Sequence, residues 1–467
     1  MSRHVHILGI CGYATSGAAF LAQAAGDRVT GSDDHAYPPV TDSLTGAGIA
    51  WENHSDPANL ERWGIPDLVV VGNQTRQHNP EWIAVQQRKL PYTSEIEFYT
   101  QLADNRLRLA VCGTHGKTTT SSLLLHMLDR AGMNPGFRLG STSLDVGGSA
   151  GLGTGPFVFE GDEYTTAPWD RRPKFLHTRP DAAAVTRLEL DHPDVYPTLE
   201  SYRAPFIDLA RDMPSEGMLV LCADDAECAA LAVHAPCSVV LYGADDDADW
   251  VVRNVRSDGG LQRFDIVRRD TAPRSVALTF PGLHNALNAC AALALAGFAG
   301  VPEDAAVAAC ADFRGPARRF QILNPEDDVV VVDDYAHHPT EVAAAIDAAR
   351  QRFAGRRLIA VHTPHTYSRT RTMIEEYSHV FNHADVVLLG PIEPARERGQ
   401  EPGVSITDVA ERITGRDVVV VDSSDAGIAV LTAMAQPGDV MLVLSLGGFD
   451  KFAPRLRAAL EGAHATR

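Results

Sequence analysis

The sequence predicts an α/β protein of three domains: a Rossmann-like first domain, a central P-loop domain whose parallel sheet carries a small antiparallel sheet, and a Rossmann-like third domain. Three observations point there. Short apolar runs alternate with segments of helical period along the chain, the order that builds parallel sheets wrapped by helices. Two of those runs end in glycine-rich turns that open helices, the usual way such folds aim backbone N–H groups at phosphate. And 467 residues exceed what a single hydrophobic core supports.

The first domain is expected over 1–105. An apolar strand over 5–10 runs into Gly9-Ile-Cys-Gly12 and an alanine-rich helix over about 16–25. A second strand over 28–30 ends in Gly31-Ser32-Asp33, and 67–72 continues the sheet. Gly9, Gly12 and Gly17 depart from strict G-x-G-x-x-G spacing. The acid about twenty positions later suits ribose recognition, so a dinucleotide site is the default reading of this unit taken alone.

The second domain is expected over 106–316. A strand over 107–111 leads into Gly113-Thr-His-Gly-Lys-Thr-Thr-Thr120, and Leu123, Leu124, Leu125, Met127 and Leu128 follow at helical spacing. Strands are expected at 156–160 and 182–187, an antiparallel meander at 250–256, 261–268 and 274–280, and a helix from near His284. The third domain, 317–467, follows Gly315-Pro316. Its strands, at 329–333, 357–362, 385–390, 417–421 and 439–444, alternate with helices, which implies a parallel sheet. Residues 325–328 and 394–402 read as surface loops.

Composition excludes several classes. An apolar fraction of 45% with a mean hydropathy of −0.11 belongs to a soluble globular protein. No apolar run approaches the ~18–20 residues of a membrane span. The N-terminal Met-Ser-Arg-His-Val-His-Ile-Leu has no signal-peptide pattern, so a cytoplasmic protein without a membrane partner is expected. A net charge of −19 argues against a nucleic-acid surface. The seven cysteines form no C-x₂-C pair and read as buried, reduced thiols.

The chemistry centres on 113–120. Gly113 and Gly116 let backbone N–H groups of Thr114 and its neighbours converge on an anion, and the helix start at Thr118 and Thr119 adds its partial positive charge. Lys117 is placed for the β/γ-phosphates, and the Thr118 hydroxyl for Mg²⁺. Only four of the 41 basic residues are lysine, so a lysine at 117 marks a compact point-charge role that arginine does not fill. Position 111, where the usual loop has a further glycine, is Val, which makes this a variant. ATP or GTP is the expected nucleotide.

Val158-Phe-Glu-Gly-Asp-Glu163 ends one strand in three acids, and Leu188-Glu-Leu-Asp-His192 closes the next. Glu163 and His192 are thus candidate metal ligands at the edge where α/β sheets hold Mg²⁺. His284, Asn285 and Asn288 open a helix and either read a purine edge or cap it. Arg319, in Arg318-Arg319-Phe320 at the domain boundary, is a candidate to stabilise a transferring phosphoryl group. Val332-Asp-Asp-Tyr-Ala-His-His-Pro339 again ends a strand in polar residues.

In this order these motifs resemble the Mur ligase family, the ATP-dependent enzymes that build the peptidoglycan precursor. The carriers are Gly113–Thr119, Glu160-Gly-Asp-Glu163, Asp191-His192, His284-Asn285-x-x-Asn288, Arg319 and Asp333-Asp-Tyr-Ala-His-His338. The resemblance implies that Lys117 binds the γ-phosphate, that Glu163 and His192 hold Mg²⁺, and that Asn285 and Asn288 contact the nucleotide. Arg319 and Asp333 would close the site and Tyr335 would lie near adenine. His337 or His338 would orient substrate or move a proton, although a His-His-Pro helix entry is also a structural device.

No lysine occurs between Lys174 and Lys451, so the carbamylated lysine of several family members has no counterpart downstream of His192. This matches the branch acting directly on UDP-N-acetylmuramate. There the first domain binds UDP, and Gly9, Cys11, Gly12, Ser16, Gly17, Ser32, Asp33 and Asn73 would line it. The segments 9–12, 31–39, 163–175 and 445–449 resemble ligases that add a recycled tripeptide, whereas 364–371 looks more like those that add L-alanine. A tripeptide is the favoured amine, with His365, Arg369 and Arg371 facing it. The expected set is ATP, Mg²⁺ and small-molecule substrates on a monomer or weak homodimer. A regulatory nucleotide switch and a nicotinamide oxidoreductase are the rival classes.

Overall fold

The computed structural model describes residues 2–36, 38, 40–192, 195–269, 271–324, 328–399, 401, 403–446 and 451–464. The expected loop residues 325–327, 400 and 402, and residues 37, 39 and 447–449 of the resembling segments, lie outside the described residues. The chain forms two compact units: 1–253 with 265–276 and 287–316, and 254–264 with 277–286 and 317–467.

Within the first unit, five parallel strands order as Ala50–Glu52, Arg28–Ser32, His4–Leu8, Leu68–Val71 and Tyr92–Ser94. Val69, Val70 and Val71 have no exposure, as expected of strands covered on both faces. The strand order reverses between His4–Leu8 and Leu68–Val71, so a crevice opens at their C-terminal ends. The glycine turn after Leu8 and Asn73 after Val71 both fall there. The helix Tyr13–Ala24 starts three residues earlier than the apolar pattern implied, directly on Gly12 as N-cap. The short strands Ala50–Glu52 and Tyr92–Ser94 carry too few residues for a period-2 signal.

The second sheet of this unit orders as Ser238–Gly243, Met218–Cys222, Ala182–Val185, Arg108–Cys112, Phe157–Glu160, Gly136–Arg138 and Ala150–Gly151. All pairs are parallel except the last. Trp250–Asp258, Leu261–Arg268 and Arg274–Leu278 extend it as successive neighbours, where the meander was expected. A separate hairpin pairs Thr165–Ala167 with Asp170–Pro173. The phosphate-loop helix Lys117–Arg130 is buried from Thr118 to Leu128, hydroxyl residues in its first turns and leucines and a methionine beyond them, so its N-terminus is held inside the domain.

In the second unit the sheet orders as Gln321–Ile322, Val330–Asp334, Val440–Ser445, Leu358–Thr363, Val386–Leu389 and Asp417–Val420. Only the Gln321–Ile322 edge is antiparallel. Val331, Ile359, Leu388 and Met441 form its core with Leu456 and Leu460 from the last helix.

Candidate active site

The strand Arg108–Cys112 delivers the chain to Gly113, whose φ of +116° and that of Gly116, +82°, are left-handed values that glycine adopts without strain. A Cβ at Gly116 would also run into the Asn288 amide, so the helix carrying Asn288 lies directly against the loop. Lys117 Nζ donates to the carbonyls of Gly113 (2.6 Å) and Thr114 (3.1 Å) and to Glu163 Oε1 (2.6 Å). The Thr118 hydroxyl donates to Glu160 Oε1 at 2.7 Å, and Glu160 Oε2 accepts from the Gly140 amide at 2.6 Å. The acidic turn after Phe157–Glu160 and the phosphate loop are therefore one polar cluster.

Burial dominates the electrostatics here. It pushes the Glu163 carboxyl up to about 7, against the pull of Lys117. Burial also works against the Lys117 ammonium, but Glu163, Glu160 and Asp162 outweigh it and raise its pKa. Two tyrosines complete the surround: Tyr202 donates to Glu163 Oε1 at 3.2 Å and Tyr196 to the Glu163 carbonyl at 2.6 Å. Neither tyrosine, nor Glu160 as the partner of Thr118, was singled out from sequence. Glu160 had a signal as the last residue of a buried strand; the tyrosines, 33 and 39 positions from Glu163, had none.

His192 has a φ of +55°, its amide donates to Asp191 Oδ1 at 2.7 Å, and its ring lies 4.3 Å from that of Tyr164. It thus sits beside the residue that follows Glu163. His115 Nε2 lies 3.0 Å from Glu189 Oε2. Thr114 Oγ1 donates to the Glu189 carbonyl at 3.0 Å, and Thr119 is buried in the first helical turn.

At the crevice of the first sheet, Gly9 has a φ of +74° and the Cys11 amide donates to Asp33 Oδ2 at 2.8 Å. Ser16 Oγ donates to the Tyr13 carbonyl at 3.0 Å. Gly17 packs under the Tyr99 hydroxyl, and Asn73 is half-buried. Ser32 has no exposure, and its hydroxyl donates to Glu81 Oε2 at 2.6 Å.

The remaining expected residues belong to the second unit. His284 and Asn285 open a helix, where Asn285 Nδ2 donates to the Pro281 carbonyl at 2.7 Å. Burial pushes the His284 imidazole down to about 4. Asp333 accepts from Arg318 Nε at 3.1 Å, and Arg318 also donates to the Ser445 carbonyl at 2.6 Å. Arg319 lies 5.1 Å over the Tyr335 ring and 3.9 Å from Glu341. Arg318, not Arg319, thus pairs with Asp333. His337 Nδ1 meets the Tyr335 carbonyl at 3.0 Å, and its ring lies 5.8 Å from that of His365. His338 caps the helix Pro339–Arg352 by accepting from the Thr340 amide at 3.2 Å. Arg369 is buried and Arg371 exposed on the helix Tyr367–Thr372, so these two do not share one face.

A parallel-sheet protein whose phosphate loop faces a tyrosine-bound carboxylate turn belongs among the ATP-using α/β enzymes. Three family descriptions match along it: "Mur ligase family, catalytic domain" over 4–107, "Mur ligase middle domain" over 111–296, and "Mur ligase, glutamate ligase domain" over 318–447. The chain belongs to the Mur ligase family, whose members are ATP-dependent amide-bond-forming ligases. It is 38% identical to the UDP-N-acetylmuramate–L-alanine ligase of Chloroflexus aggregans, covering 99% of each chain. A murein peptide ligase from Psychrobacter arcticus is 32% identical with a TM-score of 0.70, covering 98% of this chain and 99% of that one. The UDP-N-acetylmuramate-alanine ligase of Thermotoga maritima has a TM-score of 0.80 over all of both chains at 23% identity, which speaks to fold. Among the described residues no helix is long and apolar enough to cross a membrane.

Proposed function

We propose that this ligase joins the lactyl carboxylate of UDP-N-acetylmuramate to the amine of an L-Ala-γ-D-Glu-diamino-acid tripeptide, as in peptidoglycan recycling. The observation that carries the choice of amine is the pair of arginines after Pro364. Arg369 is buried and Arg371 exposed, so one short helix offers cations at two depths. L-alanine has one carboxylate, beside its amine. A tripeptide brings carboxylates well beyond the amine, and guanidinium groups hold such anions bidentately. Similarity to the Psychrobacter murein peptide ligase supports the same reading. The Chloroflexus relative favours L-alanine as the alternative.

The lactyl carboxylate attacks the γ-phosphorus of ATP, ADP leaves, and the amine displaces phosphate from the acyl phosphate. Lys117 and Arg319 take the negative charge of the transferring group, and His337 or His338 orients substrate or carries the amine proton. Gly9, Cys11, Gly12, Ser16, Gly17, Ser32, Asp33 and Asn73 form the UDP side, in a domain 1–105. Nucleotide falls to 106–316 with His284, Asn285 and Asn288, joined by Asp333 and Tyr335. The incoming amine falls to 317–467 with His365.

Thr118, Glu163 and His192 are assigned to Mg²⁺. The fit rests on an oxygen-rich set, Glu160 included, and on two carboxylates, Glu160 and Glu163, that lie against the phosphate loop. A hard dication suits both. When bound, it supplies charge neutralisation on the phosphates. The protein is assigned to the cytoplasm as a monomer or weak homodimer.

Competition between the two amines tests the reading. Tripeptide should exceed L-alanine by at least ~100-fold in kcat/KM, and Arg369→Ala should raise the tripeptide KM by the ~2–5 kcal/mol of a lost desolvated pair. A preference for free L-alanine would falsify the tripeptide assignment.

A further inference from the structure

Lysine is scarce in this chain, and Lys174 is one of the four. It is 3% exposed and lies in the same compact unit as the phosphate loop. Its Nζ is 3.3 Å from Glu95 Oε2 and 3.3 Å from Asp162 Oδ2. Arg138, 4% exposed, completes a quartet: Nε reaches Glu95 Oε1 at 3.3 Å and Nη1 donates to the Glu160 carbonyl at 3.3 Å. Glu95, 1% exposed, is the first residue of the helix Glu95–Leu102, whose N-cap Ser94 ends the last strand of the first sheet. Two cations and two carboxylates from four separated segments thus meet at the joint between the two sheets. A buried charge left unmatched there would cost several kcal/mol.

The quartet bears directly on the acidic turn. Glu160 receives the Thr118 hydroxyl and Glu163 the Lys117 ammonium, while Asp162, between them, points into the quartet. Gly161 is pinned from beneath, since a Cβ there would meet Cys112 Sγ. Lys174 also ties the turn through its backbone, its amide donating to the Tyr164 carbonyl at 3.1 Å. Fixing residue 162 therefore fixes the carboxylates on either side of it.

We propose that Glu95 and Lys174 are positioning residues: through Asp162 they hold Glu160 and Glu163 in register with the phosphate loop, so that the first domain sets the geometry of metal–nucleotide binding in the second. This rests on the assignment of Glu163 to Mg²⁺. The quartet's reach to the site is through the turn it holds, by Asp162 and by the Glu160 carbonyl. Groups that orient a metal's ligands typically cost 10–100-fold in metal affinity when lost.

The test is ADP binding by the full-length chain, titrated with Mg²⁺, for Lys174→Met and for the charge-balanced double variant Glu95→Gln/Lys174→Met, with Glu163→Gln as control. The double variant removes one charge of each sign and guards against a Lys174→Met that does not fold. Both should need about 10-fold more Mg²⁺ for half-maximal stimulation of binding, with Mg²⁺-free affinity changed less than about 2-fold. A Tm loss with a wild-type Mg²⁺ titration makes the quartet mere glue between sheets and overturns the proposal. If Glu163→Gln also titrates normally, the metal assignment falls with it; if Glu163→Gln alone is shifted, only the role of Glu95 and Lys174 falls.

Discussion

The turn Gly9–Gly12 and the turn Gly113–Gly116 both follow a buried parallel strand and both open a helix, yet they are charged in opposite ways. At the first, a carboxylate, Asp33, accepts the Cys11 amide, and neither the turn nor the first helical turn contains a cation. At the second, Lys117 is folded onto the loop's own carbonyls and onto Glu163. A diphosphate that is only held can be satisfied by backbone dipoles and a helix start. A phosphoryl group in flight gathers charge and needs a cation to meet it. On the proposed reading, the first turn grips the UDP moiety and the second carries the reaction.

The sharpest way to break this contrast is Lys117→Ala. Turnover should fall by at least ~10³-fold, appearing in kcat rather than in the KM for the UDP substrate. Single-turnover kinetics on a variant with unchanged circular dichroism would check it, and near-normal turnover would remove Lys117 from the chemistry.

Next in size, Glu163→Gln should raise the Mg²⁺ requirement of ligation about 10-fold or more, because a neutral amide is a poor ligand for a hard cation. His192→Ala should do so to a lesser degree. Unchanged Mg²⁺ dependence in both variants would return these residues to loop capping.

The first turn should answer differently. A Cβ at Gly17 would fall 2.5 Å from the Tyr99 hydroxyl and 3.1 Å from the Ala150 side chain, so Gly17→Ala should cost ~1–3 kcal/mol of stability. It should also raise the KM for UDP-N-acetylmuramate with little change in that for ATP. If both KM values rise equally, the two turns do not divide the substrates.

The smallest expected effect lies away from both turns. His362 is fully buried, and burial lowers its pKa from the ordinary 6.5 to about 4. The unfolded chain therefore takes up a proton in that interval while the folded one does not. Its contribution to stability is full above pH 6.5 and is lost as pH falls toward 4. His362→Gln should flatten the pH dependence of denaturant midpoints in this window by up to one proton, and an unchanged slope would show that His362 does not set it. His284, lowered to about 4 by burial, acts in the same direction and leaves a residual slope.

The phosphate loop, the alternation of strands and helices, and the acidic strand ends could be read from residues alone because each is a local pattern. A buried parallel strand is an apolar run, a helix has its period, and a left-handed turn demands glycine. The scarcity of lysine even marked Lys117 in advance. What tertiary structure alone decided lies at long sequence separation: Tyr202 on Glu163, Arg318 rather than its neighbour on Asp333, Glu95 against Lys174, and the different depths of Arg369 and Arg371. Which of two adjacent arginines meets a given carboxylate, and which carboxylate receives a buried lysine, depends on how packed elements meet. Desolvation then fixes those pairings, since a buried charge must find its partner wherever the fold brings one.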